Sequence, residues 1–203
     1  MGPWSAKTPV RTLQRELEMI RIARPEDAAE IARIYTPAVR DEVTSFETVV
    51  VSTEQMADRI TSGMERFPWL VDDDQRGALC GYAYAAPFRN RQAYQWSVET
   101  SVYVADRLRR RGHGRALYEQ LFDILVEMGY FTALAGIVIP NEASVCLHES
   151  MGFQAAGKMM GVGYKLGAWR DVGWWIKPLS EPTGVEPPLP ITFQQWQRQK
   201  KSS

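Results

Sequence analysis

The sequence has no surplus of charge, little cysteine and no long apolar run. Lys and Arg together number 24, Asp and Glu also number 24, and the net charge is zero. Chains that bind nucleic acid carry a basic surplus, so that class of partner is set aside. Two cysteines, Cys80 and Cys146, close at most one bridge, which excludes a small domain built on disulfides. No stretch approaches the roughly 18 continuous apolar residues of a membrane span, and no signal-like run precedes the first charged segments. These absences predict a cytoplasmic protein whose partner is neither nucleic acid nor membrane.

What is present suits a single α/β domain. The 203 residues, 45% of them hydrophobic, suffice for one proper core and not for two. Residues 1–19 read as an N-terminal extension with little apolar periodicity. Residues 180–203 read as a C-terminal arm: Pro182, Pro187, Pro188 and Pro190 favour extended chain over a packed element. The domain lies between them, over 20–179. Ile20 to Ala23 predicts a strand, and Pro25 opens a helix with Ile31, Ile34 and Tyr35 inward, ending near Pro37. Ser52 is the N-cap of a second helix that buries Met56 and Ile60. Trp69–Val71 and Ala78–Tyr84 predict a hairpin. Glu99–Ala105 predicts a strand, and Leu117, Leu121 and Leu125 mark a long helix from Gly112 to Met128. Thr132–Ile139 predicts a buried strand, Ser144–Ser150 a short helix, and 158–166 and 172–176 two late strands. Hairpins that lead into a strand-helix-strand unit imply a mixed, mostly antiparallel sheet with helices on both faces.

The most informative stretch is the strand Ser101 to Ala105, the loop through Arg109, Arg110, Arg111, Gly112, His113 and Gly114, and the helix that follows. Two glycines let backbone amides close around an anion, and the helix start adds unpaired N–H groups and the positive dipole end. Arg109, Arg110, Arg111 and Arg115 supply charge. No Gly-Lys-Ser/Thr ends the loop and a third glycine is missing, so it is neither a Walker loop nor a dinucleotide fingerprint. A tight turn beside a solvated basic face is the bland alternative.

On these residues the sequence resembles the GCN5-related N-acetyltransferase (GNAT) superfamily. Arg109 to Gly114 matches the pyrophosphate loop, and Asn141, Ser144, Gly152 and Phe153 match the second conserved segment. A closer resemblance, over about 20–179, is to phosphinothricin and methionine sulfoximine N-acetyltransferases. It rests on Pro68 to Val71, Ala93 to Glu99, Ser101 to Val104, Leu147 to Glu149 and Lys165 to Trp174.

The resemblance implies a GNAT fold and acetyl-coenzyme A as co-substrate, with no metal. It implies a small amino-acid-like acceptor and a homodimer. The main chain of Val102, Tyr103 and Val104 would pair with the pantetheine arm, and the amides from Arg110 to Arg115 would hold the pyrophosphate. Asn141 would bond the coenzyme, although with Ser144 three residues on it is equally an N-cap. Glu99 would accept the proton that an α-ammonium must lose before it attacks a thioester. His148 stands where relatives carry a tyrosine that protonates the leaving thiolate, and a packed core histidine is the alternative. His113 reads as a loop filler, and Cys80 and Cys146 as core residues. Arg89 and Arg91 would clamp an acceptor's carboxylate or phosphinate, one of them solvated, with Phe46, Tyr94 and Val172 as walls. Other amines (a polyamine, an antibiotic, a protein N-terminus) and a non-catalytic coenzyme-binding module are the competing readings.

Overall fold

The computed structural model describes residues 20–74, 78–181 and 184–202. The N-terminal extension read from the sequence, and Pro182, lie outside the described residues. Among them, seven strands form one sheet in the order β1-β2-β3-β4-β5-β7-β6. The strands are β1 Ile20–Ile22, β2 Trp69–Asp73, β3 Leu79–Pro87, β4 Ser97–Val104, β5 Thr132–Ile139, β6 Gln154–Lys165 and β7 Ala168–Pro178. Only β4 and β5 pair in parallel. The helices are α1 Ala28–Arg40, α2 Thr53–Gly63, α3 His113–Glu127, α4 Glu142–Ser150 and α5 Phe193–Ser202.

Alternation in the strands divides the core in two, because successive side chains point to opposite faces. Trp69, Val71 and Tyr82 pack under α1 and α2 with Ile31, Tyr35, Met56 and Ile60. Leu70, Ala83, Ala85 and Val98 pack on the other face with Leu117, Leu121, Leu125 and Phe153. Helices therefore cover both faces of a mostly antiparallel sheet. Ser52 caps α2 reciprocally with Gln55.

Two expectations change. Helix α1 does not stop at Pro37 but runs on to Arg40. Ala38 and Val39 are buried in the α1–α2 core, and that burial holds the last turn despite the lost N–H. The chain from residue 180 is not extended to its end. Past the prolines, Thr192 and Gln195 form a reciprocal cap, and α5 follows with Phe193 fully buried. Trp196 Nε1 and Lys200 Nζ both reach Glu127 on α3, at 2.7 and 2.9 Å. Upstream, Trp96 Nε1 donates to the Pro188 carbonyl. The arm is strapped along its own domain.

Candidate active site

Strands β4 and β5 are paired only at Ser97–Thr132, Val98–Ala133 and Glu99–Leu134, although both continue for five residues more. The two parallel strands part just beyond Glu99. That leaves the β5-facing edge of Val102, Tyr103 and Val104 without a strand partner, the edge to which an extended ligand adds by main-chain hydrogen bonds.

The loop after β4 reaches the head of α3 through backbone that few side chains tolerate. Arg110 has φ 63° and Gly112, the N-cap of α3, φ 93°. Alternation of this kind turns successive N–H groups toward one concavity, an anion nest. No side chain caps the helix start, so its amides and dipole stay available to a phosphate. Arg110 and Arg111 are exposed. Arg109 is engaged by Glu42 and Asp106, and Arg115 by the Ser150 carbonyl and hydroxyl. Gly114 matters for packing: a Cβ there would meet Leu147, Val104 and Val102 at 3.2–3.8 Å. Its bare Cα lets α3 sit close against β4 and α4.

His113, expected to fill the loop, is anchored instead. Its Nδ1 lies 2.6 Å from Oδ2 of the buried Asp72, and the two are joined by the nearby Cys80 thiol. The three could in principle ligate a cation, but burial pushes the Cys80 thiol up to about 11, which disfavours the thiolate a metal requires. The cluster's visible effect is to fasten the loop to β2 and β3. Cys80 is buried as expected, whereas Cys146 is exposed. It stands two residues from the buried His148, and about 200° around α4 puts it on the opposite side.

Glu99 points to the α1–α2 face, opposite Ala86. Its carboxyl is raised above the ordinary value by burial, with the Arg89 charge pulling the other way. Oε1 hangs over Gly136, where a Cβ would stand 3.7 Å away and 3.4 Å from the Trp174 ring. Trp174 meets Phe88 edge-on at 5.6 Å, and Phe88 meets Tyr94 at 5.5 Å. Arg89 lies over the Phe88 ring, while Arg91 is exposed at the head of a short 3-10 turn. Val172 is buried in β7, paired with Val138. Phe46 packs on Gly163 of β6. Its loop is held by buried Lys165, whose Nζ donates to the Ser45 and Ala38 carbonyls at 2.6 and 2.9 Å, and by the Tyr35–Ser45 hydroxyl pair.

The candidate site residues read from the sequence did not include Phe88, Trp174 or Lys165, although the last two lie in the segment that carries the resemblance. Phe88 sits beside Arg89 in the aromatic-rich segment and was within reach. Lys165 was not, because nothing local distinguishes a buried lysine from a solvated one.

Asn141 accepts from the Ser144 N–H and caps α4. His148 is buried with both ring nitrogens occupied. The Ser144 carbonyl can only accept, so Nδ1 carries the proton at 2.7 Å from it, and Nε2 then accepts from the Tyr118 hydroxyl at 3.0 Å. Burial lowers its pKa, opposed by the Ser144 bond, and keeps the ring neutral.

Comparison with known proteins agrees with this geometry. Residues 20–174 match the family model described as an acetyltransferase (GNAT) domain. A phosphinothricin N-acetyltransferase from Streptomyces viridochromogenes is 36% identical over 173 residues, 85% of this chain and 94% of that protein. An L-methionine sulfoximine/L-methionine sulfone acetyltransferase from Salmonella typhimurium is 33% identical, over 80% of this chain and 95% of that one. The crystal structure of a phosphinothricin acetyltransferase from Sinorhizobium meliloti in complex with AcCoA superposes with a TM-score of 0.79. It is 35% identical, covering 83% of this chain and 92% of that one.

Proposed function

The chain belongs to the GNAT acetyltransferase family and is an acetyl-coenzyme A-dependent N-acetyltransferase. From that premise we propose that its acceptor is the α-amino group of a small amino acid or analogue of the phosphinothricin, methionine sulfoximine or methionine sulfone kind. One observation carries this reading: a half-buried carboxylate with a raised pKa, Glu99, stands where β4 and β5 part, walled by aromatic rings.

Bound acetyl-coenzyme A supplies the activated thioester. The free edge of Val102–Val104 and the amides from Arg110 to Arg115 suit its arm and its pyrophosphate. Arg110 and Arg111 add charge, and Arg109 and Arg115 shape the loop through their own partners. Asn141 spends its carbonyl on the cap, which leaves its amide donors for the ligand. An α-ammonium has no lone pair to attack with, and Glu99 takes its proton directly or through water. The raised pKa brings that carboxylate closer to neutral pH, where a base works best. The second proton, released as the nitrogen is acylated, balances the departing thiolate. Cys80 is a protonated thiol under the loop and Cys146 lies on the outside of α4, so direct transfer in a ternary complex is favoured over an acetyl-cysteine.

Arg89, whose charge acts on Glu99, serves the acceptor's carboxylate better than Arg91. Phe46, Tyr94, Trp174 and Val172 wall the site. His148 is assigned to positioning: it orients Tyr118 and joins α3 to α4, its nitrogens being committed.

The test is coenzyme A release with a panel of amines. Acetylation of methionine sulfoximine, methionine sulfone or phosphinothricin supports the acceptor class. Turnover confined to a polyamine or a peptide N-terminus would overturn it, and coenzyme binding without any turnover would make the chain a binding module.

A further inference from the structure

A cavity of about 350 Å3 lies between α2 and the β2–β3 part of the sheet, on the same face as Glu99. Its walls include Tyr35, Arg59, Trp69, Tyr82, Tyr84 and Ala86. The rings of Trp69, Tyr82 and Tyr84 are nearly parallel, with interplanar angles of 4–12° and centroids 4.2–6.2 Å apart.

The space adjoins the base. Ala86 is paired directly with Glu99 across β3 and β4, which sets their Cβ atoms about 5 Å apart on one face. Tyr84 is paired with Ser101 and lies within the field of Glu99. The groups proposed above for the acceptor do not use this cavity. The Trp174 ring lies over Gly136 of β5 and Phe46 over Gly163 of β6, to the other side of Glu99 from β2 and β3.

The wall chemistry narrows the occupant. The Arg59 guanidinium is gripped by both Glu47 oxygens, at 2.6 and 3.0 Å, so its charge is already matched. Arg66, also in the wall, lies over the Phe67 ring. The Ser62 hydroxyl is spent on the Asp58 carbonyl, and the rest of the surface is aromatic and aliphatic. A phosphinate or sulfoximine gains little there, whereas a flat ring gains area and offset stacking.

We infer that this cavity receives the side chain of an uncharged aromatic amino acid, of the phenylalanine or tryptophan kind, while its α-amino group reaches Glu99. The inference rests on the reading of the chain as an amino-acid N-acetyltransferase and widens its acceptor class. The chemistry is unchanged: acetyl passes from thioester sulfur to amine nitrogen, and Glu99 takes the ammonium proton.

The experiment compares kcat/KM for L-tryptophan, L-phenylalanine and methionine sulfone in the full chain and in Ser62→Phe. Ser62 lines the cavity from the exposed side of α2, where a larger side chain fills the space without entering the core. Both aromatic acids should be acetylated, and the variant should lower the aromatic-to-sulfone ratio of kcat/KM by about 10-fold or more, the penalty of an occluded apolar pocket. Acetylation of the sulfone but of neither aromatic acid would overturn the inference and leave the proposed function standing. An unchanged ratio in the variant would overturn the placement of the ring. Failure of every amino acid would remove both.

Discussion

Burial raises the pKa of the Glu99 carboxyl, and the charge of Arg89 pulls it only partly back. The consequence for stability has a definite sign. From the ordinary carboxylate value up to the raised one, the folded state keeps a proton that the unfolded chain has lost, so stability falls as pH rises through that window. Above it the ionised form is a standing cost, one that the proposed role of Glu99 as base requires, since a base must be ionised to act. Glu99→Gln keeps the shape, removes that cost and, on the proposed role, removes the proton acceptor. We expect kcat to fall by about 10²–10⁴-fold, with acetyl-coenzyme A affinity unchanged by calorimetry and a Tm equal to or above that of the parent. The parent's kcat should decline as pH drops through the raised pKa. A variant that turns over normally at neutral pH would assign the proton to another group. The same attention to partners separates the two histidines. His148 spends both nitrogens on the packing of α3 against α4, while His113 fastens the loop to Asp72.

Between residue and molecule, the elements divide into those that make the site and those that hold it. The head of α3 makes it, and Gly114 sets how closely that head approaches β4 and α4. A bulky residue there would disturb packing as well as the loop, so any loss of coenzyme affinity in Gly114→Val would come with a loss of stability. Helix α5 holds. Phe193 has no exposed surface and stacks at 5.5 Å on Trp196, which is tied to Glu127 at the end of α3. Phe193→Ala should cost about 3–5 kcal/mol, read from urea unfolding, as for other buried aromatic truncations. A cost under about 1 kcal/mol, the range of surface changes, would show that the strap contributes nothing.

At the scale of the whole molecule, the β6–β7 hairpin at the end of the sheet is covered by little. Met160 is 81% exposed, Trp169 68% and Tyr164 59%, with Val162 and Leu166 also exposed nearby. Strand β6 is an edge of twelve residues, and a long apolar edge invites pairing with another chain. Trp175, by contrast, fills the core, and the Trp174 ring packs over Gly136 beside Glu99. We propose a twofold dimer through this hairpin, close to Phe46 and the acceptor side. Light scattering at micromolar concentration should give twice the 23.1 kDa chain mass, and Met160→Asp with Tyr164→Asp should halve it. A parent mass of one chain would sink the dimer.

Local pattern settled what local physics can settle. The spacing of Leu117, Leu121 and Leu125 demands a helix with one buried face, and two glycines behind a β-branched strand demand a tight loop at its head. The prolines of the arm are legible too, and the Thr192–Gln195 spacing beyond them carries the cap that restarts a helix. Contacts between distant residues were not legible. His148 meets Tyr118 across 30 residues, His113 meets Asp72 across 41, and Lys165 reaches Ser45 across 120. For the strand partners, Asp72 and Lys165, order and register decide the meeting, and one residue's slip would send each to the opposite face, while His148 and Tyr118 meet because α4 packs on α3. The aromatic cavity beside Glu99 has the same origin. Trp69 and Tyr84 read as ordinary strand residues and Glu99 as the base that the resemblance implies, and only the pairing of β2, β3 and β4 puts them on one surface.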